Sequence, residues 1–332
     1  MGYTRTVATR SLTLPLVLGA TLAAAQAPST GSGQAYPTKT VRIVVPFAAG
    51  GGVDLTARIL AQRLTERTGN NFIVENRPSA NGALGVEHVA RAAPDGYTLL
   101  VGSQTTQAVV PAMYDKIGYN AERDFAAVTL IATSPLLIAV HPSLPVKNVK
   151  ELIALAKARP GQLTFGAASG GTPHMGGELF KLVAGVDLMF IPYKGEGPAV
   201  ADTIGGQISM VFSNLPVALP QARSGRLRGL AVTSAQRVST APDIPTAAES
   251  GLPGYEAFTW FGLFAPAATP REIVNKLAAD AAAGLNTPEA KERMVGLGLF
   301  VVANPPDEFA AFVKKEIPRW AKIVKDAGVK PQ

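Results

Sequence analysis

Two glycine-rich loops hold the residues whose types and spacing could do chemistry. The first, residues 45–54, reads VPFAAGGGVD. Three successive glycines separate an apolar, β-branched run from a helical pattern with Leu55, Ile59, Leu60 and Leu64 on one face. Glycine permits close backbone approach and unusual φ. The loop can therefore gather unpaired N–H groups at a positive helix N-terminus, a geometry suited to an anion. A tight strand-to-helix turn with no ligand accounts for the glycines equally well. No Gly-Lys-Ser/Thr follows, and Leu55 stands where a dinucleotide fingerprint needs its third glycine, so neither nucleotide motif is present. Phe47 either stacks on a ligand or packs under the helix. Asp54, in the first turn, either caps the helix or touches the ligand.

The second loop opens residues 165–180, FGAASGGTPHMGGELF. Again a strand pattern feeds glycines, and Thr172-Pro173 marks a helix start with the hydroxyl at N-cap and proline at N1. Ser169 and Thr172 can donate hydroxyls. Two donor-rich helix N-termini facing each other across a cleft suit a ligand with one or two carboxylates. His174 is the best acid/base candidate among the three histidines, His88, His141 and His174. As alternatives it is a ligand donor or a solvated helix residue. No H-E-x-x-H or G-x-S-x-G pattern occurs, and the carboxylates are scattered without an obvious pair. The reading is therefore a binding protein with no metal, no cofactor and no catalytic residue.

The elements that must position these loops alternate between strand and helix. Short apolar runs at residues 41–45, 71–75, 98–101, 136–140, 163–167, 188–191, 208–212 and 227–233 predict strands covered on both faces. Asn148 with Glu151 forms a capping box, and Thr269-Pro270 and Thr287-Pro288 repeat the hydroxyl–proline start. The alternation predicts α/β architecture with mainly parallel sheets. Residues 136–256 have their own strands and helices, and the last third reads as helical. The C-terminal helix has no sheet of its own to cover, so it is expected to pack back on the first part. Two lobes follow, residues 37–135 with 257–332 and residues 136–256, joined by two crossings that form a hinge and a cleft.

The N-terminus sets the compartment. Arg5 and Arg10 precede an apolar stretch at residues 11–25 that ends in an A-x-A pattern, the layout of a secretory signal peptide. Cleavage is expected after Ala25, leaving residues 26–36 as a flexible leader. The chain has no cysteine, which excludes disulfides, thiolate metal sites and a lipid-modified cysteine. Removal of Arg5 and Arg10 takes the formal net charge from +7 to +5. The basic residues are dispersed, so nucleic-acid binding is not expected.

The chain resembles a known family through YPTKTVRIVVPFAAGGGVDLTAR, VENRPSANGALG, PDGYTLL, ERDFAAV, ELIALAKARPGQLTFGAASGGTPH, IPYKGEGPAVADTIGGQISMVF, PDIPTAAESGLPGYE and WFGLFAPAATP. These are similar to the periplasmic solute-binding components of tripartite tricarboxylate transporters, the Bug receptors, over essentially the whole mature chain. The resemblance implies a type II periplasmic-binding-protein fold whose lobes close on a small mono-, di- or tricarboxylate, citrate-like acids, amino acids and aliphatic or aromatic acids being the range it implies. It further implies a monomer in the periplasm that delivers its ligand to membrane transporter subunits. By the same resemblance the first-lobe contacts are Phe47, Ala48, Gly51, Gly52, Asp54, Ser103 and Gln104. Those of the second are Ser169, Gly170, Thr172, His174, Tyr193 and Asn214. Tyr193 is alternatively a core residue and Asn214 a turn former. Val53 departs from the Thr or Ser the family often has there, and Ser79 replaces a common glycine. A co-receptor for a periplasmic sensor, or an enzyme using His174 as base, are the competing readings.

Overall fold

The computed structural model describes residues 1–4, 6–8, 36–79, 81–114, 116–326 and 328–329. Two units are distinguished, Met1–Ala35 and Tyr36–Gln332. In the first, the described residues carry no regular secondary structure. The apolar stretch of the expected signal segment, residues 11–25, and nearly all of the leader lie outside the described residues. Among the described residues, no helix is long and apolar enough to cross a membrane.

The second unit begins with β1 (Val41–Val45), α1 (Gly52–Thr68), β2 (Phe72–Asn76), α2 (Ala83–Ala90) and β3 (Thr98–Ser103). A π-helical turn, Thr105–Val109, runs into α3 (Val110–Met113) and is followed by the long β4 (Phe125–Val140). Next come α4 (Val149–Ala158), β5 (Thr164–Ala168), α5 (Thr172–Ala184), β6 (Met189–Tyr193), α6 (Glu196–Ile204), β7 (Met210–Asn214), α7 (Leu215–Arg223) and β8 (Arg228–Val232). The chain ends with β9 (Phe258–Pro266), α8 (Arg271–Leu285), α9 (Pro288–Gly296), β10 (Phe300–Val301) and α10 (Pro306–Asp326). The strands are ordered β2-β1-β3-β9-β4-β7-β5-β6, with β8 and β10 also on β4.

Strand β4 organises the sheet. Its first part, Phe125 to Pro135, pairs antiparallel with β9, and Leu136 to Val140 pair with β7 and, from Leu137, β8. The exchange falls at Pro135, which has no N–H to give a ladder. Thr233 ties the junction together: Leu136 N–H donates to its Oγ1 at 2.8 Å, and Ala257 N–H to its carbonyl at 3.2 Å. Side chains alternate across the sheet and bury on both faces. Val41, Ile43 and Val45 pack with Leu60 and Leu64 of α1 and Leu277 of α8, while Val44 packs with Val86, Trp260 and Phe309. Beyond the junction, Leu136, Ile138 and Val140 pack with Leu152 and Phe180, whereas Leu137 and Ala139 face Ala199, Val200 and Leu215. Burial on both faces is why these strands are almost wholly apolar, Arg42 of β1 being the exposed exception.

The α/β fold with two lobes, a hinge and a cleft is the architecture observed, but three expectations are corrected. The sheet is mixed: β1–β2, β1–β3, β5–β6 and β5–β7 are parallel, while β3–β9, β4–β9, β4–β7 and β4–β8 are antiparallel. The last third is not all helix, because β9 lies in it. Two of the proposed caps also shift by one residue. Gly171, not Thr172, is the N-cap of α5, and Pro270, not Thr269, that of α8. Asn148 and Thr287 do cap, accepting from Glu151 N–H at 2.9 Å and Ala290 N–H at 3.2 Å. Helix α10 packs back on the π-helical turn, α3 and β4. Phe309 lies against Gly262 of β9, where the absence of a Cβ admits its ring.

Candidate functional site

The ends of β1, β3, β5 and β7 meet around one cavity, which encloses roughly 440 Å³ of space between atoms, the open solvent at its mouth included. Ligands of open α/β sheets bind at such carboxyl ends of strands. The β1–α1 loop supplies Phe47, Ala48, Gly51, Gly52, Val53 and Asp54; β3 and its following turn supply Ser103 and Thr105. Thr259 of the neighbouring β9 joins them, and from the opposite side come Ala168, Gly171, Thr172 and Pro173, the Gly195-Glu196 turn and Asn214.

The β1–α1 loop is fixed by Asp54. Its Oδ2 accepts from Gly50 N–H at 3.0 Å and Arg58 Nε at 2.9 Å, and its Oδ1 from Asn76 Nδ2 at 2.9 Å. The same Asn76 amide reaches the Phe47 carbonyl at 3.1 Å. Gly50 adopts φ +85°, a conformation that side chains disfavour. Burial alone would raise the Asp54 pKa, but the bonds from Arg58, Gly50 and Asn76 outweigh it and hold the carboxyl below its ordinary range. Asp54 is thus spent on shaping the loop. Phe47 is buried, its ring against Gly82 at the start of α2.

Glu196, at the start of α6, turns inward. Its Oε1 accepts from the Ser213 hydroxyl at 2.6 Å and from Asn214 N–H; its Oε2 accepts from Asn214 Nδ2 at 2.9 Å and Gly52 N–H at 3.2 Å. The anion at the α1 N-terminus therefore comes from the protein itself. Burial raises the Glu196 pKa, and the bonds from Asn214, Ser213 and Gly52 work against that rise. Three of these contacts come from N–H groups that can only donate and favour the ionised carboxylate, whereas the Ser213 hydroxyl can also accept from a protonated one. On the α5 side, Thr172 N–H donates to Thr105 Oγ1 at 3.3 Å. What remains unpaired is a set of side-chain atoms: the hydroxyls of Ser103, Thr172 and Thr259 and Oδ1 of Asn214 are all buried without a partner in the protein. Buried polar atoms are ordinarily satisfied. Four orphans converging on one cavity mark a place where a polar ligand can complete the bonding.

Of the residues singled out from the sequence, the structure brings Phe47, Ala48, Gly51, Gly52, Asp54, Ser103, Thr172 and Asn214 to this cavity. The others stand behind it. Gln104 is fully engaged with β9, donating to the Phe258 carbonyl and accepting from Trp260 N–H, both at 2.8 Å. Tyr193 donates to Asp202 Oδ2 at 2.7 Å, and burial with that carboxylate pushes its pKa up to about 12. Ser169 and Gly170 belong to the β5–α5 loop but do not line the cavity. His174 is buried, stacked on Phe190 with ring centroids 3.7 Å apart, and accepts from Gly170 N–H at Nδ1 at 3.0 Å. Burial, then the Lys181 charge, lowers its pKa to about 4. It supports the loop from inside rather than facing the cavity. Sequence reasoning missed Thr105, Thr259 and Glu196. An acid in the glycine turn YKGEGP was a visible signal for Glu196, whereas nothing local marks Thr259.

The model of the tripartite tricarboxylate transporter family receptor matches residues 56–329. The chain belongs to this family of receptors. Its relative "Protein BugT" from Bordetella pertussis is 36% identical over 316 residues, which cover 95% of this chain and 97% of the relative. Among solved structures, Rpa4515 from R. palustris with adipate is 38% identical, covers 90% of this chain and 100% of its own, and superposes with a TM-score of 0.87. MatC from Rhodopseudomonas palustris with bound malate is 33% identical, covers 87% and 100%, and gives a TM-score of 0.82. This tricarboxylate-transporter-type receptor thus shares its two-lobed frame with solute-binding proteins along nearly its whole length.

Proposed function

We propose that the chain is a periplasmic receptor that captures a small carboxylate in this cavity and delivers it to the membrane subunits of a tripartite tricarboxylate-type transporter. The observation that carries the reading is the convergence of the unpaired Ser103, Thr172 and Thr259 hydroxyls, three neutral donors able to hold a carboxylate. The adipate and malate held by the two related structures support the ligand class. The ligand-contacting set is Phe47, Ala48, Gly51, Gly52, Ser103, Thr172, Thr259 and Asn214. Asp54 acts as a positioning residue.

The lobes are residues 37–135 with 257–332, and residues 136–256. Separate cores on either side of the Pro135–Leu136 exchange support this division. The hinge is the pair of crossings tied by Thr233. Residues 1–25 direct export and are removed, and the mature receptor acts as a monomer. Binding rather than catalysis is supported by His174, which is buried behind the loop with its Nδ1 lone pair already engaged.

A thermal-shift and calorimetry screen with mono-, di- and tricarboxylates tests the proposal. A ligand at about a hundred times its Kd adds about 2.7 kcal/mol, a shift of several degrees. The ligand should be recovered unchanged. Chemical conversion of the bound compound would replace the receptor reading with an enzymatic one, and a full panel with no shift would remove the carboxylate.

A further inference from the structure

Resting on the receptor reading above, we infer that this cavity selects a zwitterionic aminocarboxylate, and that Glu196 is the specificity-determining residue that favours an ammonium group and excludes a second carboxylate. The charge balance of the walls carries the inference. Among the described residues, no Lys or Arg lines the cavity, and its two acids differ in kind. Asp54 is neutralised by Arg58 at 2.9 Å. Glu196 is held by four donors, all of them neutral, so its charge is spread but not cancelled.

The unpaired atoms divide in the same way. Ser103, Thr172 and Thr259 offer hydroxyls, which can donate to a carboxylate. Asn214 offers only an acceptor, its Oδ1, because its Nδ2 is committed to Glu196 at 2.9 Å. A ligand that satisfies both sets carries a carboxylate for the hydroxyls and a donor for Asn214 Oδ1. Beside Glu196 that donor is best a cation: an ammonium brings up to three N–H groups and compensates the glutamate charge. A dicarboxylate would instead bring its second anion against Glu196 in a site lined, among the described residues, by no Lys or Arg, where like charges repel. A plain alkanoate escapes the repulsion but leaves Asn214 Oδ1 unpaired.

Calorimetry on the purified chain with matched ligands tests this. For each chain length from about two to six carbons, the alkanoate, its amino-substituted acids and the dicarboxylate are titrated, for example butanoate, 2- and 4-aminobutanoate, and succinate. The expected result is that an aminocarboxylate binds tightest, by about tenfold or more over the alkanoate and the dicarboxylate of its length. In Glu196→Gln, checked by circular dichroism for native folding, that preference for the ammonium compound over the dicarboxylate should shrink by about tenfold or more. A dicarboxylate or alkanoate that equals or beats every aminocarboxylate on the unsubstituted protein overturns the inference and leaves the carboxylate-receptor reading standing. An unchanged preference in a folded Glu196→Gln protein overturns the role of Glu196. Failure of every carboxylate, amino-substituted or not, overturns the receptor reading and this inference with it.

Discussion

Acidification from pH 7 to pH 4 should destabilise the protein through His174, by an amount its surroundings set. The Gly170 N–H donates to Nδ1, so that nitrogen must keep its lone pair and the ring proton sits on Nε2. Phe190 stacks on one face at 3.7 Å, and Phe165 lies beyond at 6.3 Å. Glu178 stands 3.8 Å from Nε2 and would by itself favour a charged ring. Its carboxylate, however, is held by Lys181 Nζ at 2.9 Å, so burial prevails and the pKa falls to about 4. The unfolded chain takes its proton near the usual value of about 6.5. Between these values the unfolded state binds the proton and the native state refuses it. The stability is fully present above about pH 6.5 and is lost as the pH falls toward 4. One proton, over a pH interval of about 2.5 and at about 1.36 kcal/mol per pH unit, gives about 3 kcal/mol.

Urea unfolding across this pH range, on the unsubstituted protein and on His174→Asn, isolates the effect. Asparagine Oδ1 can accept the Gly170 N–H in place of Nδ1 and does not titrate. Carboxylate titrations common to both proteins cancel in the difference. That difference should be flat above pH 7 and move by about 3 kcal/mol against the unsubstituted protein between pH 6.5 and 4. A difference that stays flat down to pH 4 would refute the buried, neutral ring and with it the account of how the β5–α5 loop is held.

Thr172→Val should leave the free protein as stable or slightly more so, because a buried hydroxyl without a partner is removed, while carboxylate affinity falls by about fivefold or more; paired melting and titration curves check both halves. Asp54→Ala strands the Gly50 N–H and the Asn76 amide, so a loss of about 2–3 kcal/mol together with weaker ligand binding is expected in urea titrations and calorimetry. Asn148→Ala removes the α4 cap and should cost about 1 kcal/mol without touching affinity, read by the same two measurements. Gly262→Ala puts a methyl into the Phe309 ring and should cost about 1–3 kcal/mol by chemical unfolding, as α10 is pushed from β9.

The parts of the fold that could be read from the residues are those whose signal is local. Four of the five residues of Val41–Val45 are buried apolar side chains, with only Arg42 exposed, so its limits were legible. Asn148 and Glu151 meet within one helical turn, and their cap was equally plain. Strand β9 escaped because Gly262 interrupts its aromatic run, and that glycine is there for Phe309, which lies far along the chain on α10. The first part of β4 escaped for a related reason: its partners, β9 and β10, both come from the last third.

The candidate site shows the same division between residue type and side-chain direction. Gly52 and Thr172 were found because a cup at strand ends needs glycines and hydroxyls at those places, whereas Ser103 came only from the family resemblance. His174 was singled out on the same loop, yet two residues along a helix is about 200° of rotation, so a neighbour of the cavity-facing Thr172 points to the opposite side. There it finds Phe190 and the Gly170 N–H. Glu196 is the converse case. At the start of α6 a glutamate reads as an ordinary first-turn acid favoured by the helix dipole. It becomes part of the cavity because the end of β7 delivers Ser213 and Asn214 to its carboxylate and α1 delivers the Gly52 N–H. Those partners come from separate elements and meet only once the fold has formed. The residue that sets the charge of the cavity was therefore visible by type in the sequence, while its role was decided by contacts with elements distant along the chain.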